Sequence, residues 1–312
     1  MFEIKRYTKK QENEWNMFVA QSKNGTFLFD RQYMDYHSNR FDDHSLMVYR
    51  SGKLYALLPG NVADETFYSH QGLTFGGLVM NEKATAVDVI NVFNLINNSL
   101  RSDGLRRVVY KPSPWIFHRQ PSEEDLYAII KICGARLCAR ELSSTISRDH
   151  YNKWYHIRKD GAKKAKGLGV TITESDDIQS FWHILTENLK KRYGVAPVHT
   201  IEEIQLLKQR FPNNIRLVIA KEGENVVGGT VLYIYDRVIH SQYISANDRG
   251  RDIHAIDLLF ETVIRDSLIT HPYFDFGIST EKHGTFLNEK LLYQKEGFGA
   301  RAVCFDTYEY NL

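Results

Sequence analysis

Apolar positions along the chain recur with two periods, and the order in which those periods alternate appears twice. In the first half, Gln11–Ser22 sets Trp15, Phe18 and Val19 on one face of a short helix. A hairpin is expected from Leu46–Tyr49 and Lys53–Leu58, turned at Ser51-Gly52, and Glu65–Ser69 and Leu73–Val79 read as further strand. Ala86–Arg101 carries Val87, Ile90, Phe93, Ile96 and Leu100 at helical spacing and stops at Asp103-Gly104. After a short strand, Arg107–Tyr110, Ser122 is placed to cap a second helix. Glu123, Glu124 and Asp125 fill its first turn, and Leu126, Ile129, Ile130 and Cys133 form its apolar face. Gly134 ends that helix, and Arg136–Ile146 returns as strand.

The second half runs through the same order. Two helices come first, Asp176–Arg192 and Ile201–Arg210, the latter opened by a capping box of Thr200 and Glu203. Then follow a hairpin, Arg216–Lys221 and Asn225–Tyr235, a strand Val238–Ala246 and a helix Ile253–Leu268. Strand Tyr273–Phe276, helix Phe286–Lys295 and strand Arg301–Tyr310 complete it. The pattern predicts an α/β chain of the α+β type. Two tandem domains, 1–147 and 170–312, would each carry a mixed, mainly antiparallel sheet flanked by helices.

The joint between them, 148–169, is the one strongly charged segment. It holds Arg148, Lys153, Arg158, Lys159, Lys163, Lys164 and Lys166 against Asp149 and Asp160. Trp154, Ile157 and Gly161 fall three to four apart, as on a basic helix closed by Gly167-Leu168-Gly169. Two readings stand: a solvated linker helix, or an element on which Arg158 and Lys159 contact phosphate of a substrate or RNA.

Composition narrows the class. With 312 residues, 43% hydrophobic and 25% charged, the chain is an ordinary folded protein, not a disordered or low-complexity one. Its net charge of +2 gives no global case for nucleic acid. The charged start Met1–Arg6, the lack of a long apolar run and only three cysteines lead us to expect a cytoplasmic protein without membrane insertion.

Four strings carry a resemblance. They are Ser69-His70-Gln71-Gly72-Leu73-Thr74-Phe75-Gly76-Gly77; Tyr155-His156-Ile157-Arg158-Lys159 with Ala162–Ala165; Phe274–Ser279; and Gln294-Lys295-Glu296-Gly297-Phe298-Gly299. In this order, over nearly the whole chain, they resemble the FemAB-type acyltransferases, which are built from two GNAT folds. A subgroup of GNAT-like proteins associated with bacterial surface-glycan synthesis looks most similar. The resemblance implies an acyl- or aminoacyltransferase acting on an amine or hydroxyl of an activated sugar or cell-envelope glycan precursor. The donor would be acyl-CoA or aminoacyl-tRNA, which would make tRNA a partner, and the inter-domain cleft would take the acceptor. An ordinary acyl-CoA enzyme and an inert module binding RNA or a nucleotide sugar are the alternatives.

One departure bears on the donor. Acetyl-CoA enzymes of this fold hold the pyrophosphate on a Gly-rich turn ahead of a helix. Here the corresponding run is Asn247-Asp248-Arg249-Gly250-Arg251-Asp252-Ile253-His254, so Asp252 and His254 stand where glycine would permit close approach. Ser245, Ala246, Arg249, Gly250 and Arg251 remain as candidate donor contacts. The resemblance also marks the strand Ser241–Ala246 as the source of a backbone N–H for the acyl oxygen, with Tyr243 a candidate acid. By resemblance, Lys295 lies near the transferring acyl group; by its position it also complements the dipole of a helix end. Asp275, among Tyr273, Phe274 and Phe276, is either a base or a structural acceptor. His70 is a candidate acceptor contact or base, and Gly76-Gly77 a place of close approach or a bulge. No P-loop, H-E-x-x-H or G-x-S-x-G string is present, and the cysteine spacing suits no zinc site, so no metal is expected.

Overall fold

The computed structural model describes residues 1–312, residue 193 by its backbone alone. Two units share the chain: Met1–Glu141 with Lys282–Thr285 and Cys304–Leu312, and Leu142–Glu281 with Phe286–Val303. The final strand thus closes the first unit, although it is the last element in sequence. The architecture is mixed α/β, with sheets flanked by helices.

In the first unit the elements are β1 (Phe2–Arg6), α1 (Glu12–Gln21), α2 (Arg31–Met34), β2 (Asp42–Asp43), β3 (Leu46–Arg50), β4 (Lys53–Leu58), β5 (Asn61–Ala63), β6 (Thr66–Tyr68) and β7 (Val79–Met80). Then come α3 (Ala86–Ser102), β8 (Arg107–Tyr110), α4 (Glu124–Cys133) and β9 (Arg136–Ser147), the last crossing into the second unit. Strands β1, β3, β4 and β7 form one antiparallel sheet in that order. Helix α3 packs on α4 and β1, and its buried Val89, Phe93, Ile96 and Leu100 join Leu46, Val48, Ala56 and Met80 in one core. Val87 and Ile130, expected on apolar faces, are exposed instead. Each lies at the edge of its helical stripe, where periodicity cannot say how wide the covering layer is. Ser122 is also not the cap: Glu123 takes the N-cap position, and Ser122 Oγ donates to the Gln120 carbonyl.

Tyr110 pins this core. Its ring is fully buried, and its hydroxyl accepts from Leu78 N at 2.7 Å and donates to Asp125 Oδ2 at 2.5 Å. Tyr110→Phe strands a buried N–H and a buried carboxyl at once, so it should cost about 1–3 kcal/mol. A lowered urea midpoint at unchanged slope would register that loss; an unchanged midpoint would refute it.

The second unit holds α5 (His156–Gly167), β10 (Val170–Ser175), α6 (Ile178–Tyr193), α7 (Ile201–Arg210), β11 (Ile215–Glu222), β12 (Asn225–Ile234) and β13 (Val238–Ala246). It continues with α8 (Asp248–Asp252), α9 (Ala255–Thr270), β14 (Tyr273–Ile278), β15 (Thr280–Glu281), β16 (Phe286–Leu287), α10 (Glu289–Glu296) and the start of β17 (Arg301–Asn311). Strands β10 to β13 run antiparallel in sequence order, β14 joins β13 in parallel, and the second half of β9 joins β14 antiparallel. Helix α9 lies on this sheet, α5 packs against α9 and β10, and α6 covers β12 and β13. The core behind the site is aromatic: Phe260, Phe274, Phe276 and Phe298 meet edge-on or stacked, with centroids 4.9–6.1 Å apart. The capping box at Thr200 and Glu203 forms as the sequence predicts. Helix α10 starts three residues later than expected, because Phe286 and Leu287 pair with Glu281 and Thr280.

Candidate active site

Two neighbouring strands part company at the centre of the second unit. Strands β13 and β14 pair only over Val238↔Tyr273, Ile239↔Phe274 and His240↔Asp275. Past that point β13 stays with β12, and an extra residue at Gln242 bulges it. A cavity of about 510 Å³ opens at the split, with Ile244, Ser245 and Ala246 on one wall and Phe276, Lys295 and Phe298 on another. Asn247 N donates to Val227 O, which fixes the ladder's alternation. The backbone groups of Ser245 therefore face β12, and those of Ile244 and Ala246 face the opening.

Lys295 sits in the last turn of α10, 4% exposed. Its Nζ donates to the carbonyls of Gly277 at 2.8 Å and Ile278 at 2.7 Å. Gly277 has φ +77°, a conformation that suits glycine, and this turn of β14 aims both carbonyls at the ammonium. An ammonium has three N–H bonds, so one is left for the cavity that Lys295 lines. Burial pushes its pKa down to about 8, with Asp275 opposing the shift.

Asp275 is fully buried and is not part of the cavity wall. Oδ1 accepts from Ser143 Oγ at 2.7 Å and Thr145 Oγ1 at 2.6 Å; Oδ2 accepts from His240 Nδ1 at 2.7 Å and Gly277 N at 3.1 Å. Burial alone would raise its pKa, but these donors outweigh burial and hold it below the ordinary carboxylate value. A carboxylate with four donors suits the structural-acceptor reading of this residue better than the base reading. Ser143, Thr145 and His240 were not singled out in the sequence. The run of three small polar residues, Ser143-Ser144-Thr145, within a buried strand was the available signal.

The loop after β13 does not form an open Gly-rich turn. It winds into α8, with Asn247 Oδ1 accepting from Gly250 N at 2.8 Å. The amides of Arg251, Ile253 and His254 donate to the carbonyls of Asn247, Arg249 and Arg251. Arg249 turns to Glu222, with Nε 2.8 Å from Oε2, and is not among the cavity residues. Ser245, Ala246, Gly250 and Arg251 do line the cavity, as does Asn188 of α6. Asn188 Nδ2 donates to Ser245 Oγ and to Ala246 O, both at 2.6 Å, and Arg251 donates to Ala246 O and Asn188 Oδ1. Asp252 is not on the cavity wall; His254 is.

The remaining candidates scatter. Tyr243 donates or accepts at His199 Nδ1, 2.6 Å away, packs edge-on against Trp182, and is not on the cavity wall. Arg158 is on the wall, with its guanidinium 2.6 Å from Asp257 Oδ1 and over the Phe298 ring. Lys159, its neighbour in sequence, faces a different groove beside Trp154 and Arg265. His70, Gly76 and Gly77 belong to the first unit. His70 is buried at φ +77°, its Nδ1 accepts from Gly72 N, and burial holds its pKa down at about 3, so it is neutral. Gly76 lies against the Ser69 carbonyl, and Gly77 (φ +89°) beside the Tyr110 hydroxyl, so both glycines serve chain packing. Arg192, Lys290 and Asp257 also line the cavity and were not anticipated, and His254 was noted only as a departure from glycine. The i, i+3 spacing of His254 and Asp257 was the one further trace. Among the described residues, no group of three or more His, Cys, Asp or Glu side chains is arranged for a metal ion, and no helix is long and apolar enough to cross a membrane.

A cavity between parting parallel strands, walled by backbone amides and a buried amine, is the layout of an acyl-group transferase. A family model described as an acetyltransferase (GNAT) domain matches residues 114–284, more than half of the sequence, and the chain belongs to the GNAT acyltransferase family. The crystal structure of FemX superposes with a TM-score of 0.71 at 12% identity, covering 99% of this chain and 97% of that one. L-PGS from Bacillus licheniformis gives 0.61 at 12% identity (97% and 91% covered). A tandem GNAT protein from the clavulanic acid biosynthesis pathway gives 0.53 at 11% identity (100% and 98% covered). At such identities the likeness is one of fold. No curated protein matches the sequence.

Proposed function

We propose that this acyltransferase takes an aminoacyl group from an aminoacyl-tRNA ester and passes it, by direct attack, to an amine or hydroxyl of an activated sugar or cell-envelope glycan precursor. The carrying observation is the loop after β13. The amides of Gly250, Arg251, Ile253 and His254, which an open turn would offer to a pyrophosphate, are all bonded within the chain. The N-terminus of α9 keeps its first amides free of any side-chain cap, and Ile256 beside it lines the cavity. That is enough for one phosphodiester and too little for a diphosphate cradle. Arg192, Arg251 and Lys290 add positive charge to the same wall, where the one carboxylate, Asp257, is already paired.

In this reading the acceptor attacks the ester carbonyl in the split. The oxyanion takes the third N–H of Lys295 and a backbone N–H from Ile244, and the ribose oxygen leaves with a proton. A lysylphosphatidylglycerol synthetase domain of the same fold is consistent with an aminoacyl group, and the tandem GNAT protein, solved without AcCoA, with a CoA donor.

Calorimetric titration with desulfo-CoA and with a non-hydrolysable aminoacyl-tRNA analogue separates the two. The expected result is tRNA-analogue binding with no heat from CoA up to about 1 mM, a limit near −4 kcal/mol. Micromolar CoA binding, displaced by acetyl-CoA, would overturn the aminoacyl donor and make this an acyl-CoA enzyme.

A further inference from the structure

Position 254 is poorly chosen for stability. His254 is the N-cap of α9, yet it has φ +58° and makes no side-chain cap. Glycine there would remove a backbone cost of about 1–3 kcal/mol. What the histidine does instead is reach one turn along α9. Its Nδ1 lies 3.1 Å from Oδ2 of Asp257, a carboxylate only 2% exposed. Oδ1 of the same carboxylate is taken by Arg158 from α5, at 2.6 Å. Helix α5 closes over the pair because residue 161 is glycine: a Cβ there would run into Asp257 Oδ2 and come within 3.0 Å of His254 Nδ1. With Nδ1 committed to a buried anion, Nε2 is the ring nitrogen left for the cavity that His254 lines.

We propose that His254 is the proton acceptor for the attacking nucleophile, and that Asp257 is a positioning residue holding the ring in its Nδ1–H form. The inference rests on the acyl-transfer reading above and deepens it, whichever donor serves. As the acceptor nitrogen or oxygen bonds to the acyl carbon, its proton passes to Nε2. As the bond from the acyl carbon to the donor's oxygen or sulfur breaks, that proton moves from Nε2 to the leaving atom, so the ring returns neutral. Asp257 keeps its charge throughout, offset by Arg158.

The test uses His254→Gly, which fits φ +58° without strain and leaves an imidazole-shaped gap beside Asp257. Transfer to hydroxylamine is followed from radiolabelled aminoacyl-tRNA and, in parallel, from acetyl-CoA. His254→Gly should lower the enzyme-dependent rate about 100-fold, in kcat more than KM, and added imidazole should recover at least about tenfold. Asp257→Asn should lose about tenfold without imidazole rescue. An unimpaired His254→Gly enzyme, or a defect that imidazole does not touch, would overturn the inference. Turnover from acetyl-CoA alone would sink the aminoacyl donor and leave this test running on the other substrate. If neither donor reacts, long-range ¹H–¹⁵N spectra decide it: a proton on Nε2 of His254 overturns the proposal, and Nδ1–H, lost in Asp257→Asn, upholds it.

Discussion

Lys295→Met is expected to lower turnover about 10²–10³-fold while the chain stays folded. The ammonium is held by two carbonyls of one strand, at 2.8 and 2.7 Å, so it meets the cavity at a fixed place. Methionine keeps the apolar stem and loses the charge. Leaving the Gly277 and Ile278 carbonyls without this donor costs about 1–3 kcal/mol, and no longer burying a charge offsets it, so melting at pH 7 should move by a few degrees at most. The pH dependence separates charge from shape. Burial lowers the Lys295 pKa from 10.5 to about 8. Between those values the unfolded chain binds the proton and the folded chain does not, so stability rises with pH across this window, by at most about 3 kcal/mol. Below about 8 the cost of the buried charge is fully present. Activity should run the opposite way, falling as the ammonium that stabilises the oxyanion is lost above pH 8. Relative to Lys295→Met, the wild type should therefore gain stability and lose rate over one interval. A rate that holds level to pH 10 would exclude the charged amine from the reaction.

The duplicated order of hairpin, strand, helix, strand and helix was legible because each element declares itself locally. The apolar stripe of α3, Gly134 in the left-handed conformation at the end of α4 and the capping box at Thr200 need no distant partner. The destination of the last strand was not legible. Its Glu309 pairs across with Val109 and Tyr310 with Val108, some two hundred residues earlier, and nothing in the local pattern of 301–311 selects that edge. The site divides the same way. Lys295 could be marked because it lies in a string with a family resemblance, and the strand 241–246 because of the place that the resemblance gives it in the order of elements. The Asn188–Arg251–Ala246 network and the Arg158–Asp257–His254 cluster join residues from separate helices and a strand. Only the packing of α5, α6 and α9 on the sheet brings them together. Arg158 and Lys159 make the point at the smallest scale: adjacent in sequence, they point about 100° apart on α5, and only one reaches the cavity.

Asp275→Ala is expected to have the largest effect on stability, about 3–5 kcal/mol, or roughly 10 °C in melting temperature. Its carboxylate joins three strands: Ser143 and Thr145 come from β9, His240 from β13 and Gly277 from β14 itself. Removing it leaves four donors facing an apolar gap behind Phe274 and Phe276. Asp275→Asn should lose roughly half as much, since an amide oxygen can keep one pair of donors. The donors hold the carboxyl below its ordinary value. Its contribution is therefore complete above about pH 3.8 and disappears only as pH falls through the lower folded value. The gap between wild type and Asp275→Ala should thus stay constant from pH 7 to about 4 and close in stronger acid. A gap that closed near neutrality would mean the residue is protonated in the folded chain and free to act as an acid. Both variants should also lose turnover beyond what their stability explains. The parallel pairing of β13 and β14 ends at His240 and Asp275, and Gly277, two residues on, supplies one of the carbonyls that hold Lys295. The bonds that keep the strands together up to the split thus also set where the amine stands inside it.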